Sequence, residues 1–363
     1  MSGVRTNAYG RMLEDFKVGD VYQHPWEVSV DDGMTALFAA SFQDAMPTFA
    51  SREYAKQLGF RDRPVHPFVL LNLGLSFSVH DVSEQAIAHL AYIDVRFPEA
   101  CYAGDTLHAS SSVLSAKPSS KGDRGVVEVR TLLENQNGTV VCRFDRKALV
   151  RAGNVSGRPA DGHAALPQSA DPAGALPPPL REGVRPLAHR RGFAGFYEDF
   201  DVGDVFFHGL GKTVGASEHM QLTQLCRNSH PIHFDEVYCK DKSFAKTRVV
   251  YGGLVLSWVL ALTSRDLAGN AVWDVGLDKG AHPNGVVAGD TLYASSQVLE
   301  KEDAGPGVGL VTVRVVGTKN TTGQSAFVAP GGLFTPELSK TEGRIPEKVV
   351  EITRRLLVRK RPT

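Results

Sequence analysis

His233 lies in NSHPIHF (228–234), and Gly252 and Gly253 open the apolar run GGLVLSWVLAL (252–262). A histidine accepts or delivers a proton near neutral pH. Glycines opening an apolar helix present free amide hydrogens at the positive end of the helix dipole, and they let a carbonyl oxygen come close. Together the residues spell proton transfer beside a developing enolate oxygen. Asn228 is placed to orient a water or the imidazole, because an amide cannot serve as a base. His219 and His230 are alternative bases, and Cys226 is an alternative nucleophile without a partner pattern. Taken singly these residues are ordinary, since a loop histidine is usually on the surface and Gly-Gly before a helix is usually a turn.

An internal repeat links them. EDFKVGDVYQH begins at residue 14 and EDFDVGDVFFH at 198, 184 apart; AGDTLHASSSVL begins at 103 and AGDTLYASSQVL at 288, 185 apart. FDRKALVR at 144 and ITRRLLVR at 352 are 208 apart, which places 23 extra residues in the second copy, near 319–346. That stretch is rich in Gly, Thr and Ser and is expected to be a loop. Residues 152–186 are dense in Pro, Ala and Gly and suit an extended linker. The expected division is therefore a first unit over 8–152, a linker over 153–190 and a second unit over 191–361.

Aligned at these offsets, Asp44 faces Asn228, Phe49 faces His233, His66 faces Tyr251 and Pro67 faces Gly252. Phe49 cannot move a proton, and Pro67 has no amide hydrogen to donate. The second copy keeps both functions and the first has lost both, so one active site is expected, in the second copy.

These residues need a scaffold. Each copy has a short strand ending near Val-Gly-Asp, then a helical region (217–225 in the second). An apolar helix follows (68–76 and 254–262), and then three strand-like stretches of alternating small, polar and β-branched residues. One apolar helix with several antiparallel strands per copy is an α+β unit, with the long helix wrapped by a curved sheet.

Composition narrows the function classes. The 363 residues are 42% hydrophobic and 22% charged, with 40 basic and 40 acidic side chains. A wholly disordered chain is excluded, and no chain-wide basic field exists for nucleic acid. Cys101, Cys142, Cys226 and Cys239 form no CxxC pair, so free thiols are expected and no metal site. The start lacks the apolar core of a signal peptide, and the run 252–263 is too short to span a bilayer. A cytoplasmic protein with no membrane partner is expected.

With these residues in view, NSHPIHF resembles the signature of the MaoC-like enoyl-CoA hydratase family: Asp, any residue, Asn, Pro, an aliphatic, His, and downstream a His-Gly helix start. Pro231, Ile232, His233 and Gly252 match; Asn228 stands at the catalytic Asp and Tyr251 at the His before the glycine. The repeat and linker resemble the double hotdog members, with two tandem hotdog units forming a pseudo-dimer. One branch, the mesaconyl-CoA hydratases or β-methylmalyl-CoA dehydratases, is similar in EHMQLTQLCRN, IHF and RVVYGG, with the same Asn, and in QLGFRDRPV and LVRKR. The resemblance implies a hydro-lyase acting on an acyl-CoA thioester, with a dicarboxylic C5 acyl group. CoA belongs to the substrate, and no other cofactor is needed. His233 and Asn228 are the implied catalytic pair, with Gly252 and Gly253 as thioester-binding donors. A substrate carboxylate wants an arginine fork; Arg227 and Arg248 are the candidates, with Tyr251 and Ser257 as further substrate-binding candidates. RRLLVRKR near the end is a candidate basic rim for the CoA phosphates. Further self-association, into a dimer, is expected because hotdog units pair.

Three other readings stand beside this one. They are a (3R)-hydroxyacyl-CoA or acyl-carrier dehydratase on fatty chains, a hotdog thioesterase using Asp235 or Glu236, and a non-catalytic acyl-CoA-binding protein.

Overall fold

Glycine turns and buried helices set the frame, and both copies use them alike. The computed structural model describes residues 10–120, 122–153, 176–184, 195–328, 332–340 and 342–362. The first copy runs β1 (Val21–Ser29), α1 (Asp32–Phe42), α2 (Pro47–Ala50), α3 (Arg52–Gln57) and α4 (Pro67–Phe77), then β2 (Ala86–Arg96), β3 (Thr106–Pro118), β4 (Arg124–Asn135) and β5 (Val140–Arg151). The second runs β6 (Val205–Phe207), β7 (Lys212–Thr213), α5 (Ala216–Leu225), α6 (Glu236–Lys242), α7 (Gly252–Leu262) and α8 (Ser264–Leu267). It ends with β8 (Ala271–Ala281), β9 (Thr291–Asp303), β10 (Val308–Lys319), α9 (Gly323–Phe327) and β11 (Lys348–Arg359).

Every residue of α4 is buried, as is α7 from Gly253 to Ala261. Helices apolar all round belong inside a core. Helix α4 packs on β3, β4 and β5, α7 packs on β9, β10 and β11, and the two helices touch. Strand β4 alternates half-buried and buried residues along its length, the period of a sheet with one face inward. Each copy is thus the expected helix wrapped by an antiparallel sheet.

The strands form one antiparallel sheet in the order β1-β3-β4-β5-β2-β8-β11-β10-β9-β6, with β7 also paired to β9. The copies join where β2 meets β8, pairing Tyr92 with Gly280 and Val95 with Leu277. A shift of 185 residues carries Tyr92 onto Leu277 and Val95 onto Gly280, so the two pairs exchange. The copies are therefore related by a local twofold axis through this joint.

The repeated motifs are the turns that make this possible. Gly104 and Gly289 of the two AGDT segments have φ of 97° and 94°, a region open chiefly to glycine. Asp105 and Asp290 close those turns by accepting from the amides of Tyr102 and Val287 at 2.9 and 3.0 Å. Val-Gly-Asp lies immediately before β1 and β6 rather than at the end of a strand. Its glycines, Gly19 and Gly203, have φ of 94° and 99° and turn the chain into the sheet edge. The histidine ending each motif is held between a carboxylate and a serine: His24 by Asp81 and Ser111, His208 by Asp266 and Ser296.

Two expectations need amendment. The insertion near 319–346 is not only a loop. It contains α9, and its Ala326, Leu333 and Ile345 pack on Val316. Beneath it, Lys348 lies between Glu337 and Glu351 at 3.1 and 3.0 Å, and Lys340 also reaches Glu337. Most of the expected linker lies outside the described residues, but its 176–184 segment is docked, with Leu180 and Val184 buried and the Val184 amide donating to the Pro306 carbonyl.

Candidate active site

A cavity of about 540 Å³ opens between the halves. The second copy lines it with Asn228, His233, Tyr251, Gly252 and His282; the first copy supplies His89, Tyr92 and Arg146.

His233 ends a short 3-10 turn, Pro231–His233. Its Nδ1 donates to the Val249 carbonyl at 2.8 Å, while the Val249 amide donates back to Ile232. With the proton fixed on Nδ1, Nε2 keeps its lone pair, as a base requires. Burial pulls His233 from its ordinary value down to about 3, and neighbouring His230 adds to the effect. Asn228 is oriented by its Oδ1, which accepts from the His230 amide at 3.0 Å. That leaves Nδ2 buried, in the cavity wall, with no partner. Such a donor wants an acceptor, and a water or hydroxyl oxygen would satisfy it.

His230 does a different job. Its Nδ1 accepts from the Ile232 amide at 3.2 Å, and its ring reaches the backbone of Ala86 and Glu84 in the first copy. Burial lowers it to about 4. It ties the Pro231–His233 turn to the opposite half.

Helix α7 begins beside His233. Tyr251 precedes it and gives no side-chain cap. The amides of Leu254 and Val255 donate to the Tyr251 carbonyl, whereas those of Gly252 and Gly253 have no acceptor among the described residues. A Cβ on Gly252 would stand 3.0 Å from Nε2 of His282, so a side chain would enter the space before the helix. His282 is fixed by donating from Nδ1 to the Val349 carbonyl (3.2 Å) and accepting from the Tyr92 hydroxyl at Nε2 (3.0 Å). Burial lowers it to about 4. A Cβ on Gly253 would come within 2.1 Å of the Asn72 side-chain oxygen, so that glycine is demanded by the crossing of α4 and α7.

His233, Asn228, Gly252, Gly253 and Tyr251 thus come together as expected from the sequence. Three other candidates do not. Arg227 is exposed, with φ of 62°, and points no group into the cavity wall. Arg248 is occupied by Glu236 at 2.9 Å and by the Met220 sulfur. Ser257 lies between the central helices, donating to the Gly253 carbonyl and accepting from Asn72. The C-terminal basic run does not rim the cavity either. Arg354 is buried against Asp274, Lys360 pairs with Asp303, and Arg361 pairs with Asp199. His219 is buried outside the cavity wall. Burial pushes the Cys226 thiol up to about 12, which removes it as a nucleophile. Asp235 caps α6 and Glu236 holds Arg248, so neither serves a thioesterase site.

The wall residues His89, Tyr92, Arg146 and His282 escaped the sequence reading. The signal was present: at the same 185 offset, His89 stands against Asp274, Tyr92 against Leu277 and His282 against Phe97.

The twofold-related place in the other half is packed shut. Trp273, the counterpart of cavity-lining Ala88, stacks on Phe60 and contacts Phe49, with ring centres 5.6 and 5.3 Å apart. His66 caps α4 by accepting from the Phe68 amide at 3.1 Å. Its other nitrogen lies 3.7 Å from buried Asp44. Arg354 meets Asp274 at 2.8 Å, with both side chains fully buried.

Two hotdog units sharing one sheet, with a His233-bearing turn and a free helix start together in the later unit, define a MaoC-like double hotdog protein. Residues 213–321 match the model of the MaoC-like domain. Residues 1–182 match the model described as mesaconyl-CoA hydratase. The mesaconyl-CoA hydratase of Cereibacter sphaeroides is 35% identical over 337 residues, covering 92% of this chain and 96% of that one. The β-methylmalyl-CoA dehydratase of Chloroflexus aurantiacus is 31% identical, covering 86% and 89%. The structure of a MaoC domain protein dehydratase from Chloroflexus aurantiacus superposes with a TM-score of 0.84 at 27% identity, over 99% of this chain and all of that one. This chain belongs to the mesaconyl-CoA hydratase family.

No helix of the described residues is long and apolar enough to cross a membrane. Among them, no group of three His, Cys, Asp or Glu is placed to hold a metal ion.

Proposed function

We propose that the protein catalyses the reversible hydration of an enoyl-CoA thioester, with mesaconyl-CoA and β-methylmalyl-CoA as the pair. The names of its relatives support the substrate. One observation carries the chemistry: the free Nε2 side of His233, the unpartnered Nδ2 of Asn228 and the open start of α7 share one cavity.

The thioester carbonyl accepts from the Gly252 amide, with Gly253 beside it, and the conjugated β-carbon becomes electrophilic. Asn228 holds a water by its oxygen. His233 Nε2 takes a proton from that water as the oxygen bonds to the β-carbon, and the electron pair moves onto the thioester oxygen as an enolate. His233 then returns the proton to the α-carbon, so one water is added and the base is regenerated. In the reverse direction the same groups expel water. Thioester conjugation supplies the electrophile, so the reaction needs no cofactor beyond the CoA of the substrate. Phe244, 72% exposed, and Ile87 lie at the cavity wall and offer apolar contact to the pantetheine arm.

The test is a panel of enoyl-CoA esters followed by loss of the conjugated absorbance, with thiol release in parallel. Hydration of mesaconyl-CoA ahead of crotonyl-CoA is expected. Preference for long-chain enoyl esters, thiol release, or tight binding without turnover would each replace this reading.

A further inference from the structure

Arg146 is the unexplained charge in the cavity. It is 4% exposed, yet lines the wall. One terminal nitrogen donates to the hydroxyls of Ser78 and Ser83, at 2.9 and 3.2 Å, and to the Ser78 carbonyl at 3.4 Å. Its Nε is buried with no partner. Burial pulls it down to about 10, which still leaves it charged at neutral pH. No carboxylate among the described residues pairs with it. A buried, anion-free guanidinium is costly, and evenly packed interiors do not keep one without use.

The other half shows such an arginine with a carboxylate beside it. The twofold counterpart of Arg146 is Arg354, and that of His89 is Asp274. Arg354 receives its anion from Asp274. On the open side His89 replaces the carboxylate; burial drives this histidine well below its usual value, and it therefore stays uncharged. The open half has an arginine with its built-in anion deleted, facing the cavity that holds Asn228 and His233.

We propose that Arg146, supplied by the half without catalytic residues, binds the free carboxylate of the acyl group and sets selectivity for dicarboxylic thioesters. This rests on the mesaconyl-CoA reading above. In that substrate the carboxylate is attached to the β-carbon that water attacks. A fork on the carboxylate therefore fixes the attacked carbon against Asn228 and His233.

The experiment compares kcat/KM for mesaconyl-CoA with that for 2-methylcrotonyl-CoA, which has a methyl group in place of the carboxylate. The wild type should favour mesaconyl-CoA. Arg146→Met should lower that ratio at least about 30-fold, the loss typical when one partner of a buried charge pair is removed. His89→Asp should lower it too, by giving Arg146 the internal anion that Arg354 already has. The second variant guards against misfolding, because the closed half shows that an Asp–Arg pair packs at this place. If the wild type favours mesaconyl-CoA and both variants keep the ratio, the assignment to Arg146 is overturned alone. If the wild type shows no preference for the carboxylate, the substrate reading falls and this inference with it.

Discussion

Replacing Gly252 with proline would remove its amide hydrogen while keeping a residue suited to the helix start. Proline is well suited to the first position of a helix, where its missing N–H has no intrahelical duty. The first half already has Pro67 at the matching place in α4. The residue before a proline must be extended, and Tyr251 already is, with φ −57° and ψ 126°, beside −61° and 134° for His66. The added Cβ would meet Nε2 of His282 at 3.0 Å, a contact that alanine would share. Gly252→Ala therefore measures the effect of the Cβ with the donor kept, and Gly252→Pro adds the loss of the donor, with the ring Cδ standing where the hydrogen pointed. Loss of one oxyanion donor costs about 2.7–4 kcal/mol, or about 10²–10³ in kcat. Gly252→Ala should lose about 10-fold or less, and Gly252→Pro a further 100-fold or more, with unchanged melting temperature. The assay is enoyl absorbance loss on the best ester of the panel. Equal turnover of the two variants would show that the Gly252 amide does not hold the thioester oxygen.

Further outcomes are expected for His233 and Phe49. With His233 as the proposed neutral base, lowered by burial to about 3, the acid limb of kcat/KM should lie far below pH 6.5, and His233→Ala should cost about 10²–10⁴ in rate; an acid limb at pH 6.5 in the folded enzyme would refute the assignment. The same burial means that unfolded chains bind protons before folded ones, so the melting temperature should fall once pH drops below about 6.5. Phe49→Ala should cost about 3–5 kcal/mol in denaturant unfolding by hollowing the closed half, with kcat nearly unchanged. Loss of turnover in a well-folded Phe49→Ala protein would mean that the closed half takes part in the chemistry.

The architecture was legible because its turns are written in residues with few alternatives. Gly104, Gly289, Asp105 and Asp290 recur since only such residues close that backbone. Comparing copies exposed His233 and Gly252 because one was exchanged for a benzyl ring and the other for an imino acid. Arg227 and Arg248 were chosen for nearness along the chain, but a left-handed backbone turns the first outward and Glu236 takes the second. Arg146 was out of reach of that logic: it arrives on β5, from the other copy, through a joint made by β2 and β8. The insertion hid Leu333 and Ile345 in a stretch whose overall composition is that of a loop.

The cavity's divided ownership has an evolutionary consequence. A duplicated gene is usually free to discard the copy that stops working. Here the first copy furnishes Tyr92, which holds His282, and Ala88, whose small side chain leaves room where Trp273 fills the other half. Cutting the polypeptide at its linker would therefore leave a C-terminal fragment with His233 and Asn228 but without the wall that encloses them. Activity could return only when both fragments reassemble across the β2–β8 seam.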